Sequence, residues 1–277
     1  MADRIPLQLA GHIALPPHAG KGGFDHAAPH AASGHIYVAH TANDAVDVFD
    51  PAGGRYLFSV LDLPGASGVL VSDDAQLIIA SARGENTIGV FGPGRNPRVR
   101  KAAVGIRPNG LAFDYKRGLI LAANVGDPTV PGSYTLSMVD LASLTMRHSI
   151  AVAGRTRWAL YDADSDSFYV NIMEPSQIVV VEGSQPDRVA RVLPVPAAGA
   201  HGLDLDAALR LRARQGGVSS IGARRAAVAM AALIDDEGAA ARIADLIFLR
   251  MPRMSAGKAA MYSSISLGAE FRFTVHR

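Results

Sequence analysis

VGIRPNGLAFDYKRGLILAAN, residues 104–124, contains two short apolar runs, GLAFD and LILAAN, on either side of a polar turn. The runs have five and six residues, and they lie next to Pro, Asn, Asp or Gly. Runs of that length between turn residues are typical of β-strands, whereas a helix needs a longer segment with a period near 3.6 residues. The stretch therefore predicts two β-strands joined by a tight turn.

The same order of runs returns along the chain. Four copies, each with four short apolar runs, span residues 24–66, 67–108, 109–156 and 157–200. The equivalent positions Gly68, Gly110, Trp158 and Gly202 are 42, 48 and 44 residues apart, and the inserted turn GDPTVPGS accounts for the longest spacing. Four strands at a pitch of about 40 to 50 residues are typical of β-propeller blades, whose sheets bury one another's faces when they stack.

Residues 104–124 resemble the YVTN-type propeller repeat, which has VG, Pro, Gly, Asp and a final Asn at matching places. TIGVFGPG, residues 87–94, stands where that family has a further strand motif. IYVAHTANDAVDVFD, residues 36–50, is another instance, with His40 in place of the family's Asn. The resemblance covers residues 24–207. It implies a propeller with GLAFD as an innermost strand and LILAAN as the next strand outward.

We therefore predict an all-β fold, a β-propeller of four-stranded blades in which about five blades are recognisable and the ring is incomplete. Residues 1–207 hold the blades. Residues 208–277 form a divergent tail rich in Ala and Arg, in which the strand pattern fades. Two interpretations of this tail stay open, a helical C-terminal segment and a segment translated out of frame with the ancestral gene.

Composition and motifs exclude several classes of site. The chain has no cysteine, which excludes disulfides, thiolate nucleophiles and Cys-based metal sites. It also has no phosphate loop, dinucleotide-binding fingerprint or nucleophile elbow. Residues 1–207 hold 16 Lys and Arg against 20 Asp and Glu, whereas residues 208–277 hold 11 against 5. The basic character belongs to the tail, so nucleic acid is not an expected partner.

The N-terminal sequence predicts a cytoplasmic protein. Polar residues and paired prolines interrupt its apolar residues, so it lacks the continuous core of a signal peptide. No run in the sequence approaches the roughly 20 apolar residues of a membrane helix, and we expect no membrane partner.

The resemblance implies that the starts of the innermost strands and the ends of the second strands meet at the mouth of a central channel, where propellers usually bind ligands. The candidate ligand-binding residues at these places are His26, His40, Arg83, Asn109, Asn124, Arg157, Trp158, Asn171 and His201. Structural roles stay open beside this one, because Asn at a strand end commonly holds a turn and Trp158 suits packing between blades. Arg157 is a natural anchor for an anion.

Two functions from different classes fit these residues. The preferred hypothesis is a non-enzymatic propeller that binds a small polar or anionic ligand, or a protein partner, without a cofactor. The alternative is a metal-dependent lactonase-like hydrolase, because PNGLAFD also resembles the metal-binding segment of gluconolactonase-type propellers. That resemblance implies Asn109 as a calcium or zinc ligand, but it places His201 where the family has an Asp, and calcium prefers oxygen ligands. Whether the protein is an enzyme is left open.

Overall fold

The structure, a computed structural model, describes residues 12–195 and 199–205. The predicted tail, residues 208–277, lies outside the described residues. The described chain divides into two compact units, one that runs up to Lys101 and one that starts at Ala102, and we describe each by itself. Among the described residues, no helix has the length and apolar character needed to cross a membrane.

The first unit contains the four-stranded antiparallel sheet β1-β2-β3-β4 and nearly all of the sheet β5-β6-β7-β8, both in chain order. The last two residues of β8 belong to the second unit. A 3₁₀ turn at Thr41–Asn43 separates β2 from β3. The strands are β1 Phe24–His30, β2 His35–His40, β3 Ala45–Asp50, β4 Arg55–Val60, β5 Ala66–Ser72, β6 Leu77–Ala82, β7 Thr87–Phe91 and β8 Arg100–Ala103.

The second unit repeats this design in the sheets β9-β10-β11-β12 and β13-β14-β15-β16. Its strands are β9 Pro108–Asp114, β10 Leu119–Asn124, β11 Thr135–Asp140, β12 Thr145–Ala151, β13 Thr156–Asp162, β14 Ser167–Ile172, β15 Gln177–Glu182 and β16 Arg191–Pro194. The predicted strands GLAFD and LILAAN are therefore present as neighbours, β9 and β10.

The core of each unit lies between its two sheets. In the first unit, Val46, Val48 and Ile78 are fully buried in one apolar cluster, and in the second unit Leu121 and Phe168 share another. The two central strands of each sheet supply most of these residues, whereas the outer strand β12 is exposed at six of its seven residues. This gradient follows from strand order, because central strands have neighbours at both edges and the outer strands do not.

Every sheet has a β-bulge at the start of its innermost strand. In β9 the partners are Pro108 with Asn124 and then Leu111 with Ala122, so two residues, 109 and 110, lie opposite the single residue Ala123. The innermost strands of the other three sheets have the same irregularity, at residues 25–26, 67–68 and 157–158. A bulge bends the strand and redirects its side chains.

The β9 bulge packs so tightly against β13 that it needs a glycine. A Cβ atom built on Gly110 would lie 2.3 Å from the carbonyl oxygen of Arg157. This neighbour is backbone, so it cannot move aside as the end of a flexible side chain could.

We expect Gly110→Ala to lower the free energy of unfolding by about 2 kcal/mol or more, because the added methyl group forces two strands apart. Gly92→Ala is the matched control, since no heavy atom lies within 4 Å of a Cβ built there. Urea denaturation checks both variants, and equal midpoints for the two would contradict the close approach of β9 and β13.

At the other end of the same strands, Arg117 joins two turns of the second unit. Its Nη1 donates to Asp114 Oδ2 at 2.6 Å, and its two Nη atoms donate to the two carboxylate oxygens of Asp166 at 2.6 and 2.8 Å. The Tyr161 hydroxyl donates to Asp166 as well, at 2.8 Å. Asp114 is fully buried, so Arg117 is the cation that balances a carboxylate out of water.

We expect Arg117→Met to lower the free energy of unfolding at pH 7 by about 1 to 3 kcal/mol, because it leaves the buried Asp114 without its counter-charge. Arg147→Met is the control, because its exposed pair with Asp140 contributes at most about 1 kcal/mol. Comparison of the two variants by urea denaturation checks this, and equal losses would contradict it.

The contribution of Arg117 also depends on pH. Its hydrogen bonds hold the pKa of Asp166 below the usual range. A carboxyl group with a lowered pKa stabilises the fold above its unfolded-state pKa of about 4, and that stabilisation is lost as the pH falls through the lowered value. The difference between Arg117→Met and the unaltered chain is therefore expected to shrink below about pH 4.

Candidate functional site

The candidate site lies at the bulges, which carry several of the residues singled out in the sequence. In each repeat the first bulge residue occupies one equivalent position, held by Asp25, Ser67, Asn109 and Arg157. His201 holds this position in the sequence of the next repeat, one residue before Gly202. The second bulge residue is His26, Gly68, Gly110 or Trp158.

In the first unit, His26 and Arg83 meet at Asp25. The Asp25 carboxylate lies 3.0 Å from His26 Nδ1 and 3.4 Å from Arg83 Nη2. His26 is buried, and its Nδ1 is also 3.0 Å from the carbonyl oxygen of Ser67 in the neighbouring bulge. The structure thus brings two predicted site residues together through a carboxylate that the sequence analysis did not single out.

His40 is fully buried at the end of β2. Its Nδ1 lies 2.7 Å from Asp47 Oδ2, and Asp47 is also fully buried. The ring packs against Phe24 and against His18, with centroid distances of 4.3 and 4.9 Å. These contacts are those of a residue that holds the sheet end together, and ligand binding by His40 stays a prediction.

The segment that places His18 against His40 is fixed by Asn43. The Asn43 side-chain amide donates to the carbonyl oxygen of Pro17 at 3.0 Å, and its oxygen accepts from the amide of Ala19 at 2.7 Å. We call residues 17–20 the N-terminal strap. It lies at the second-strand end of the first sheet, where the repeat pattern predicts part of the channel mouth.

In the second unit, Asn109 and Arg157 hold matched positions on neighbouring strands. Both side chains are half-buried, and Gly110 beside Asn109 lies against the carbonyl of Arg157. Arg157 Nη2 donates to the thioether sulfur of Met173 at 2.9 Å. A thioether is a weak acceptor, so a carboxylate or phosphate oxygen would be a stronger partner for this guanidinium.

His201 holds the matched position on the next segment of the chain. The carbonyl oxygen of His201 accepts a long hydrogen bond of 3.4 Å from the amide of Trp158, so its segment lies beside the β13 bulge as β13 lies beside β9. The fully buried Asn171 holds this segment, because its Nδ2 donates to the carbonyl oxygens of His201 and Gly202 at 3.0 and 2.8 Å. Asn171 therefore positions His201.

Trp158 and Asn124 have mainly structural contacts. Trp158 packs against an apolar cluster that includes Ala200 and Leu203, which agrees with the packing interpretation. Asn124 is fully buried, and its Nδ2 donates to the hydroxyls of Thr135 and Ser137, both at 2.9 Å. Neither observation tests ligand binding.

Sequence reasoning did not identify Asp25, Asp47 or the strap. In the sequence, Asp25 and Asp47 have the pattern of ordinary polar strand positions. Nothing in their spacing predicts that they contact histidines. For Asp25 a signal was present, since it occupies the same repeat position as Asn109 and Arg157. Among the described residues, no group of three or more His, Cys, Asp or Glu side chains could hold a metal ion.

We expect Asn171→Ala to loosen residues 199–205, because it removes the two side-chain hydrogen bonds to the carbonyl oxygens of His201 and Gly202, at a cost of about 1 to 3 kcal/mol. Trp158 is the single tryptophan and packs on this segment, so its fluorescence should shift to longer wavelength. Asn124→Ala also removes a buried amide but does not touch the segment, and its emission should stay unchanged. Unaltered emission in both variants would contradict the positioning role.

The comparisons with known proteins identify a fold and no family. No protein-family model matches the chain, and no curated protein matches it. Hydrazine synthase from Kuenenia stuttgartiensis is similar in structure, with a TM-score of 0.56 and 12% identity over 72% of this chain and 55% of that chain. Sqt1 from Saccharomyces cerevisiae is similar with a TM-score of 0.51 and 9% identity, over 62% of this chain and 48% of that chain.

The chain thus spans about half the length of these two structures, both of which have propeller-type folds. At such low identities the likeness shows the fold alone, since one fold serves many functions. The prediction of an all-β propeller fold with four-stranded blades is confirmed.

Proposed function

We propose that the chain is a YVTN-like propeller protein that binds a small anionic ligand at the bulges of its second unit, without catalysis. In a propeller these innermost-strand ends border the mouth of the central channel. The observation that supports the proposal is the row of Asn109, Arg157 and His201 at one repeat position on neighbouring segments. The wider proposal, a small polar ligand or a protein partner, uses the same surface.

The chemistry of the row suits an anion with two oxygen atoms. A guanidinium presents planar donors that match a carboxylate or a phosphate. The Asn109 amide can donate a further hydrogen bond, and the His201 imidazole can donate one as well. Asn171 stabilises this arrangement, because its side chain holds the backbone of His201 in place.

A fluorescence titration tests the proposal, because Trp158 adjoins Arg157 in the bulge. We expect small carboxylates and inorganic phosphate, added to the full chain, to change Trp158 emission in a saturable way. Arg157→Met should weaken binding at least tenfold, since the charge-assisted hydrogen bonds are lost. Arg147→Met removes an arginine from the exposed strand β12 of the same unit and should leave binding unchanged. Equal affinities in both variants, or no saturable change with any anion, would refute the proposal.

The lactonase-like alternative rests on the sequence resemblance at Asn109. This alternative stays a prediction, and metal analysis with a lactone hydrolysis assay would test it. The cytoplasmic location also stays a prediction. Ligand binding by His26, His40 and Arg83 in the first unit also stays a prediction.

A further inference from the structure

The first unit contains a histidine whose ring is oriented by a buried carboxylate. His40 Nδ1 lies 2.7 Å from Asp47 Oδ2, and both side chains are fully buried. The other carboxylate oxygen of Asp47 accepts a hydrogen bond of 2.6 Å from the Ser59 hydroxyl. Both oxygens of Asp47 are thus engaged, and the direction of the His40 ring is fixed.

This contact also decides which nitrogen of His40 carries the proton. An ionised carboxylate only accepts hydrogen bonds, so Nδ1 must be the donor. In the neutral ring, Nε2 then presents a lone pair. Nε2 is buried, and it has no hydrogen-bond partner in the part of the chain that the structure describes. A buried polar atom in this condition is costly and calls for a physical explanation.

A second imidazole lies beside it. His18, in the N-terminal strap, packs edge-on against His40 with a centroid distance of 4.9 Å. The two hydrogen bonds of Asn43 to the strap backbone hold His18 in place. The His18 side chain is exposed to solvent, so an ion could reach the pair from that side.

We propose that His18 and His40 form a site for a divalent transition-metal ion such as Zn²⁺. The order carboxylate, histidine, metal is the usual arrangement of a metal-binding imidazole, because the carboxylate fixes the tautomer and raises the basicity of the ligating nitrogen. Two rings that bind one tetrahedral zinc ion at about 2.0–2.1 Å have centroids roughly 5 Å apart, close to the spacing seen. Water would complete the coordination.

The donor set selects the class of metal. Imidazole nitrogens suit Zn²⁺, Ni²⁺ and Cu²⁺, whereas Ca²⁺ and Mg²⁺ prefer oxygen ligands. This site differs from the Asn109 site of the lactonase-like alternative in position and in residues. Its effect would be to tie the strap to the end of β2, since one ligand comes from each.

Calorimetric titration of the full-length chain with ZnCl₂ tests the proposal. We expect one equivalent of Zn²⁺ to bind, and His18→Ala to weaken this binding at least tenfold. His18 is exposed, so this variant keeps the buried Asp47–His40 pair and should fold. His148→Ala, which removes an exposed histidine of β12, is the matched control and should bind like the unaltered chain.

A second variant acts through position and keeps both imidazoles. Asn43→Ala should weaken Zn²⁺ binding less than His18→Ala does, because the strap is loosened but the ligands remain. CaCl₂ should give no binding that depends on His18. The proposal is overturned if Zn²⁺ does not bind, if His18→Ala binds as tightly as the unaltered chain, or if His148→Ala loses as much affinity as His18→Ala.

Discussion

The close approach of bulged strand ends is the constraint on which the rest of the structure depends. Each innermost strand begins with two residues opposite one, and within each unit these bulges adjoin their neighbours. Tight contact leaves no room for a side chain at Gly110. The neighbouring position, Asn109 or Arg157, is only half-buried. One backbone irregularity therefore both joins the repeats and presents their polar groups.

The two ends of the strands in the second unit have different chemistry. At the turns, Arg117 donates charge-assisted hydrogen bonds to the carboxylates of Asp114 and Asp166. The Tyr161 hydroxyl donates to Asp166 as well. At the bulges, Arg157 has a thioether as a neighbour. The carboxylates around Arg117 are strong acceptors, and the thioether beside Arg157 is a weak one. This contrast favours the turn end for stability and supports the proposal that the bulge end binds an anion.

The sequence predicts the repeats well because strand length and turn residues are local properties. GLAFD and LILAAN are β-strands. The positions that the repeat spacing makes equivalent, Gly68, Gly110 and Trp158, are the second bulge residues of their sheets. The contacts of the candidate site depend instead on residues distant in sequence. Nothing near His40 shows that Asp47 and the strap will enclose it, and nothing near Asn171 shows that it holds residues 201 and 202. Such pairings exist only after the sheets have formed.

The segment 199–205 belongs to no strand, and the side chain of Asn171 holds it where a ladder of backbone hydrogen bonds would otherwise do so. Segments attached by few bonds open locally at a fraction of the free energy of global unfolding. At the proposed anion site, His201 would then hold its binding position for only a fraction of the time. The apparent dissociation constant of an anion that needs His201 would rise as that fraction falls. Asn171 would then influence affinity through the position of the His201 backbone.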